Sequence, residues 1–331
     1  MNDEFYMQLA IDVAWEYQLL TYPNPPVGAV VVCDGKIVAI EAHRKAGTSH
    51  AEVLALVRAY ETLSGETVSI DRYDAHAAHA FLRGLPAGFF GACTIYVTLE
   101  PCAHEGKTPS CASLLFELNL ERVVVAHPDP IAGHGGGANR LGNVTMGVLE
   151  AQAHDLIMPF LIWQERAFVL FKLAQTLNGR IGGGYLSSQE SLEHVHRIRS
   201  VADRLIIGGG TVRADHPTLD SRFDPEGRAP DVTIFSHQME WDQTIPLFGV
   251  AGRKVRISET LDGFEKPSLI LVEGGGGMLE ALGNRVDWML TYLTPKLSPN
   301  EITYNTTTTL RFLHTQRIGV DLMIWSQNLG D

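Results

Sequence analysis

The chain has 331 residues, is 45% hydrophobic and 19% charged, and carries a formal net charge of -12, which supplies apolar material for about two domains. That acidity argues against a general nucleic-acid or membrane-surface binder, because both partners are polyanions. The opening MNDEFYMQLA puts acids where a leader needs bases, no apolar run approaches the roughly 20 residues of a membrane span, and four cysteines are too few for a disulfide framework, so the expected setting is cytoplasmic.

In chain order, Asp3 is placed to cap a first helix whose apolar face runs Tyr6, Ala10, Val13, Ala14 and Tyr17. NPPVGAVVV reads as a turn entering a strand, and Asp34-Gly35 as a hairpin turn into KIVAIEA. SHAEVLALVRAY is a capped helix and CTIYVTL a strand. Cys33 and Cys93 lie in or beside apolar runs and read as small core residues. Residues 64–91 form a long mixed insertion in which His76 and His79 read as solvated.

ERVVVAHPDP is a strand ending in a turn, IAGHGGGANRLG a glycine-rich loop, and NVTMGV a short strand that closes a first domain, 1–150. Residues 151–165 read as a helical connector. AFVLFKLAQTL then starts a second pattern over 166–331, in which TVRADHPTLDSR is a polar loop and LILVEGGGGMLEAL a strand, glycine turn and helix. NTTTTL is β-prone or loop. Helices and strands alternate throughout, so the class is α/β.

His50-Ala51-Glu52 at a helix start, with Pro101-Cys102 and Cys111, carries the chemistry of the first half. One His and two Cys supply three zinc ligands and leave a tetrahedral position open, the mark of a catalytic site. Zinc lowers the pKa of bound water toward about 7. Glu52 lies on the first helical turn, where it can converge with His50 and move protons. H-x-E with a later P-C is the zinc nucleobase-deaminase signature. Nucleic-acid and nucleoside deaminases mostly close the cysteine pair as C-x-x-C, whereas here TLEPCAHEGKTPSC holds the two cysteines far apart.

That spacer resembles the riboflavin-pathway pyrimidine deaminases, which carry TLEPC and a loop of H-x-G-[KR]-T-P type before the second Cys. With NPPVG and HAE in front and a reductase pattern behind, the whole chain resembles the bifunctional diaminohydroxyphosphoribosylaminopyrimidine deaminase/5-amino-6-(5-phosphoribosylamino)uracil reductase family. The resemblance implies a cytidine-deaminase-like three-layer α/β/α domain followed by a dihydrofolate-reductase-like α/β domain. It implies one zinc ion per chain on His50, Cys102 and Cys111, with Glu52 as general acid/base. Asn24, Lys107 and Thr108 would contact substrate in the first half, and Arg199, Leu219, Arg222 and Glu273 in the second. Ala174, Tyr185, Thr211, Asp215, Ser236 and Gly275, Gly276 and Gly277 would contact NADPH. The partners implied are small phosphorylated pyrimidines, with no nucleic acid and no membrane, in a homo-oligomer.

The chain departs from the family pattern at four places: His127 where an Asp is usual, Asn178 in Thr176-Leu177-Asn178-Gly179, and Gly183 and Tyr185 in a shortened stretch. Two other readings stand beside the main one. One is a nucleic-acid or nucleoside deaminase with an appended domain; the other is a deaminase fused to a binding-only reductase domain.

Overall fold

The computed structural model describes residues 2–131, 135–182, 184, 186–224, 226–304 and 306–330. The chain divides into two units, Met1–Leu161 and Ile162–Asp331.

The first unit contains α1 (Asp3–Trp15), β1 (Gly28–Cys33), β2 (Lys36–Ala42), α2 (Ala51–Ser64), α3 (Ala75–Arg83), β3 (Cys93–Leu99), α4 (Cys111–Leu118), β4 (Arg122–His127) and β5 (Val144–Met146). Its sheet has the order β2-β1-β3-β4-β5. β1 runs antiparallel to β2 and β3, while β3, β4 and β5 are parallel. Every residue of β1 is buried, as a strand covered on both faces requires. Side chains alternate across a strand. Ala29, Val31 and Cys33 therefore share one core with Val53, Leu56 and Val57 of α2, Ala78 and Leu82 of α3, and Leu114 and Leu115 of α4. On the other face Tyr96 of β3 meets Tyr6 of α1, with ring centroids 5.1 Å apart. Three layers result.

Local signals operate as their chemistry predicts, with small offsets. Asp34 and Gly35 both have positive φ, at 50° and 72°, and close β1 onto β2 in two residues, the backbone a twisted hairpin needs. Asn2, one residue before the expected cap, accepts from Phe5 N and starts α1. Asp3 instead takes two bonds from the Arg122 guanidinium and one from Tyr96 Oη. The buried face of α1 is Tyr6, Met7, Ala10, Ile11, Ala14 and Trp15, so Val13 and Tyr17 stand beside it.

Two expectations are corrected. The insertion is not solvated throughout. Its α3, capped by Asp74, packs on α2 and α4, and His79 is buried while His76 is exposed. A face of Ala75, Ala78, His79 and Leu82 at helical spacing drives this. Cys33 and Cys93 are buried, but they are also direct cross-strand partners of β1 and β3 and form a disulfide.

The second unit contains β6 (Ala167–Thr176), α6 (Gln189–Val201), β7 (Arg204–Gly208), α7 (Gly209–Asp215), β8 (Asp231–Phe235), β9 (Val255–Ser258), β10 (Ser268–Glu273), α8 (Gly276–Leu282), β11 (Trp288–Thr294), β12 (Thr309–Ile318) and β13 (Asp321–Gly330). The helix α5 (Glu150–Trp163) runs between the last strand of the first unit and β6. The sheet order is β12-β13-β11-β6-β10-β7-β8-β9. The six strands from β11 to β9 are parallel, and β13 and β12 continue antiparallel. From β10 the chain crosses to β11 on one side, while from its neighbour β7 it passes to β8 on the other. Such a switch point opens a crevice at the carboxyl ends of the strands, where α/β proteins bind ligands. Of the segment expected as a polar loop, residues 211–215 lie instead in α7.

Candidate functional site

In the first unit the ligand atoms of His50, Cys102 and Cys111 lie within 4.8 Å of one another. Three chain ends bring them there. His50 is the N-cap residue of α2, Cys102 follows β3 by three residues, and Cys111 is the first residue of α4 behind its cap Ser110. His50 Nδ1 stands 3.4 Å from Cys111 Sγ and 3.8 Å from Cys102 Sγ. Its Nε2 stands 3.2 Å from Thr108 Oγ1. Thr108, expected on substrate, is thus placed against the imidazole and fixes its ring. The Cys111 amide donates to Cys102 Sγ over 3.3 Å, a helix N-terminus stabilising a thiolate. Two sulfurs and one imidazole nitrogen, this close and largely removed from water, are a donor set suited to zinc.

Glu52 lies on the first turn of α2 and is 4% exposed. Burial pushes its carboxyl up, so it can hold a proton at a pH where an exposed glutamate is ionised. The hydrogen bond from Cys111 holds the Cys102 thiol well below the usual thiol range, and the same contact pushes Cys111 up.

His43 is a site residue missed in the sequence. Its Nδ1 lies 3.1 Å from Ser49 O and its Nε2 3.2 Å from Asn24 Nδ2. A proton on Nδ1, given to the carbonyl, leaves Nε2 to accept from Asn24, so both groups have one orientation. Burial and then the neighbouring His50 pull His43 down to about 4, which keeps it neutral. Its ring meets that of His50 edge-on at 5.4 Å. The only sequence signal was a histidine seven residues before His50. Lys107 is exposed on the loop between the cysteines. His127 turns its Nδ1 to Pro128 O at 2.6 Å and its Nε2 to His154 Nδ1 at 3.2 Å.

In the second unit a buried carboxylate organises the crevice. Glu273, the last residue of β10, receives Arg199 Nε at 2.7 Å, Arg199 Nη2 at 2.9 Å and Lys172 Nζ at 3.3 Å. Burial alone would raise its carboxyl, but Arg199 and Lys172 outweigh it and hold it at about 2. Arg199 is therefore clamped on Glu273 by a bidentate pair. Lys172 on β6 was not foreseen; a lysine inside an apolar strand reads as an interruption until the register sets it beside Glu273.

The remaining expected residues spread around this end. Arg222 is exposed and pairs with Asp220 at 2.9 Å. Leu219 is buried with φ +55°, and its carbonyl accepts from Arg253 Nη2 at 2.7 Å. Thr211 and Asp215 lie on α7, and Ser236 Oγ accepts from the Gln238 amide at 3.0 Å. Ala174 is on β6 opposite Tyr292 of β11. Gly275 is the N-cap of α8, with Gly276 and Gly277 in its first turn. Gly183 and Tyr185 lie outside the described residues. Asn178 has a structural use: its Oδ1 accepts from Thr176 Oγ1 and Ser298 N, and its Nδ2 donates to Ser298 O. An aspartate could not make the last of these bonds.

The comparisons with known proteins agree with this division. Residues 1–127 match the cytidine and deoxycytidylate deaminase zinc-binding region, and residues 167–324 match the RibD C-terminal domain. A riboflavin biosynthesis protein RibD of Mycobacterium tuberculosis is 31% identical over 351 residues, covering 96% of this chain and 95% of its own length. The Aquifex aeolicus protein of that name is 37% identical over 251 residues, covering 72% of this chain and 63%, less than two thirds, of its own. Among solved structures, a Thermotoga maritima diaminohydroxyphosphoribosylaminopyrimidine deaminase/5-amino-6-(5-phosphoribosylamino)uracil reductase is similar at TM-score 0.65 and 25% identity, with 98% of each chain covered. Acinetobacter baumannii RibD is similar at TM-score 0.62 and 25% identity, also with 98% of each chain covered. With both regions matched in order and relatives matched over nearly their whole length, the chain belongs to the RibD family, the bifunctional deaminase/reductase enzymes of riboflavin biosynthesis.

Proposed function

We propose that the first unit deaminates 2,5-diamino-6-(5-phosphoribosylamino)pyrimidin-4(3H)-one and that the second reduces the resulting 5-amino-6-(5-phosphoribosylamino)uracil to its ribitylamino form with NADPH. The observation that carries this reading is the convergence of His50, Cys102 and Cys111 beside the buried Glu52. One zinc ion per chain, held by those three residues, would supply an acidified water at neutral pH. Glu52, buried beside those ligands, would accept a proton from the attacking water as a C–O bond forms at the amino-bearing ring carbon. It then returns the proton to the departing nitrogen, which leaves as ammonia. Asn24, oriented by His43, holds the ring edge, and Lys107 draws the phosphate by charge.

In the second unit NADPH would supply the hydride. Arg199 and Lys172 hold Glu273 ionised at the crevice, where its carboxylate accepts a sugar hydroxyl. Thr211, Asp215, Ser236 and the Gly275–Gly277 turn suit the cofactor, the glycines by letting backbone approach a pyrophosphate. Asn178 is accounted for by its bonds to Ser298, so its departure from the family pattern does not favour a binding-only domain.

The test is a split assay on zinc-quantified protein. Ammonia release from the diaminopyrimidine phosphate without NADPH, followed by NADPH oxidation once it is added, is expected. Ammonia without oxidation would leave the second unit as a binding domain. No ammonia from zinc-loaded protein would reject the substrate.

A further inference from the structure

The Glu100 carboxylate, in the TLEPC stretch ahead of Cys102, is buried, with 8% of the residue exposed. Among the described residues no cation pairs with it. Its partners are backbone amides. Oε1 accepts from Gly136 N and Ala138 N, both at 2.9 Å, and Oε2 accepts from Asp129 N at 3.0 Å. The Glu100 amide donates to His127 O at 2.9 Å. The two ends of a glycine-rich segment, 129–131 and 135–138, are therefore gathered around one carboxylate, as such segments gather around a bound anion.

Two further contacts fix this segment to the backbone that carries Cys102. A Cβ on Gly137 would lie 1.9 Å from Pro101 O and 3.2 Å from Ala112 Cβ, so only glycine permits the approach. Arg140 Nη1 donates to Ala103 O at 3.0 Å. The carbonyl of Cys102 itself accepts from Ala112 N and Ser110 Oγ. The backbone from Pro101 to Ala103 thus meets Gly137, the start of α4 and Arg140 in turn.

We propose that Glu100 is a positioning residue for the deaminase half: its carboxylate sets residues 129–131 and 135–138 as the side of the substrate pocket next to Cys102. This rests on the deaminase reading of the site. A carboxylate has acceptors for both ends of the segment, whereas the amide of Glu100→Gln presents one oxygen and an NH2 that cannot accept. Glu100→Ala presents nothing.

The test uses the full chain with zinc measured. In Glu100→Gln, hydrogen exchange at the amides of Gly136, Ala138 or Asp129 should accelerate at least tenfold, with α6 unchanged. Zinc content should stay at the parental level. KM for ammonia release should rise at least fivefold with a smaller change in kcat, and NADPH oxidation on already deaminated substrate should stay within twofold. Glu100→Ala should enlarge the first and third effects. A group that served only to keep the unit folded would lower the yield of active protein and kcat without moving KM. The proposal is overturned if exchange and KM in Glu100→Ala match the parent, or if zinc loss accounts for all the lost activity. Should the parent release no ammonia, the functional reading fails, while the exchange rates still decide whether Glu100 sets the segment.

Discussion

The two halves assemble their chemistry in opposite ways. In the first unit the reactive groups sit at helix starts and strand ends, inside short motifs: His50 and Glu52 two residues apart, Cys102 and Cys111 nine apart. In the second unit the central charges come from three separate elements, Lys172 on β6, Arg199 on α6 and Glu273 on β10. The first half needs local backbone geometry and a metal to complete it. The second completes itself, because its buried carboxylate is already balanced by two cations. A metal-centred site should fail when one ligand is lost; an ion-pair site should fail together with the stability of its unit.

Cys102→Ser is the strongest way to break that comparison. It should remove zinc and lower ammonia release by about a thousandfold or more, the scale expected when a metal that activates water is lost. NADPH oxidation on deaminated substrate should stay within twofold, and a parallel fall in both activities would show that the halves are not separable in this way. Reduction of the Cys33–Cys93 disulfide comes next. The bond closes a sequence separation of 60 residues, so its loss should destabilise the first unit by up to about 4 kcal/mol. It would be read as a lower inactivation temperature for ammonia release in dithiothreitol, with oxidation of NADPH unmoved.

Glu273→Gln sharpens the contrast from the other side. It leaves the buried Arg199 and Lys172 charges unbalanced, at a cost of about 3 kcal/mol, and should abolish NADPH oxidation while ammonia release persists. The same carboxyl carries a pH dependence. Its folded value of about 2 lies below the ordinary glutamate value of about 4.3. Its contribution is therefore complete above about pH 4.3 and is lost as the pH falls toward 2. Urea unfolding of the parent followed from pH 6 to pH 3 should lose stability more steeply than that of the Gln variant; equal slopes would remove Glu273 as the cause. The smallest effect belongs to Arg83→Ala, since its bond to Glu117 is solvent-exposed on both sides and should contribute at most about 0.5 kcal/mol. A loss of unfolding free energy larger than that in urea titrations would mean that the pair contributes more than an exposed ion pair does.

Legibility in the sequence follows the same divide. The Asp34-Gly35 turn, the helix beginning at His50 and the alternation of strands and helices are local, and short-range chemistry specifies them. The set of His50, Cys102 and Cys111 was legible, although His50 lies 52 residues before Cys102, because each residue sits in its own short motif, HAE in front and PC with a second Cys behind. Partners far apart in the chain were not: Arg199 and Glu273 are 74 residues apart, and only the packing of α6 on β10 shows that the arginine is spoken for. His43 was passed over because one histidine in a polar stretch carries no period. The cysteine pair was read as two core residues because hydrophobicity reports burial, while a bond depends on strand register. His79 was misjudged because a nine-residue helix inside an insertion looks solvated until Ala75, Ala78 and Leu82 are counted on one face with it.

The inserted helix also changes which parts of the chain can be edited. Excising residues 66–91 to shorten the protein would take Ala78, Leu82 and Phe90 out of a core shared with Val53 and Leu114. It would also remove the Tyr73 carbonyl that receives the Ser49 amide, one residue before His50. A reporter or affinity handle belongs instead at the exposed Asp34-Gly35 turn, where the chain reverses in two residues and gives one carbonyl to Tyr6 Oη. The stretch that looks most dispensable on paper is thus a retaining wall, and the short tight turn is the point of attachment.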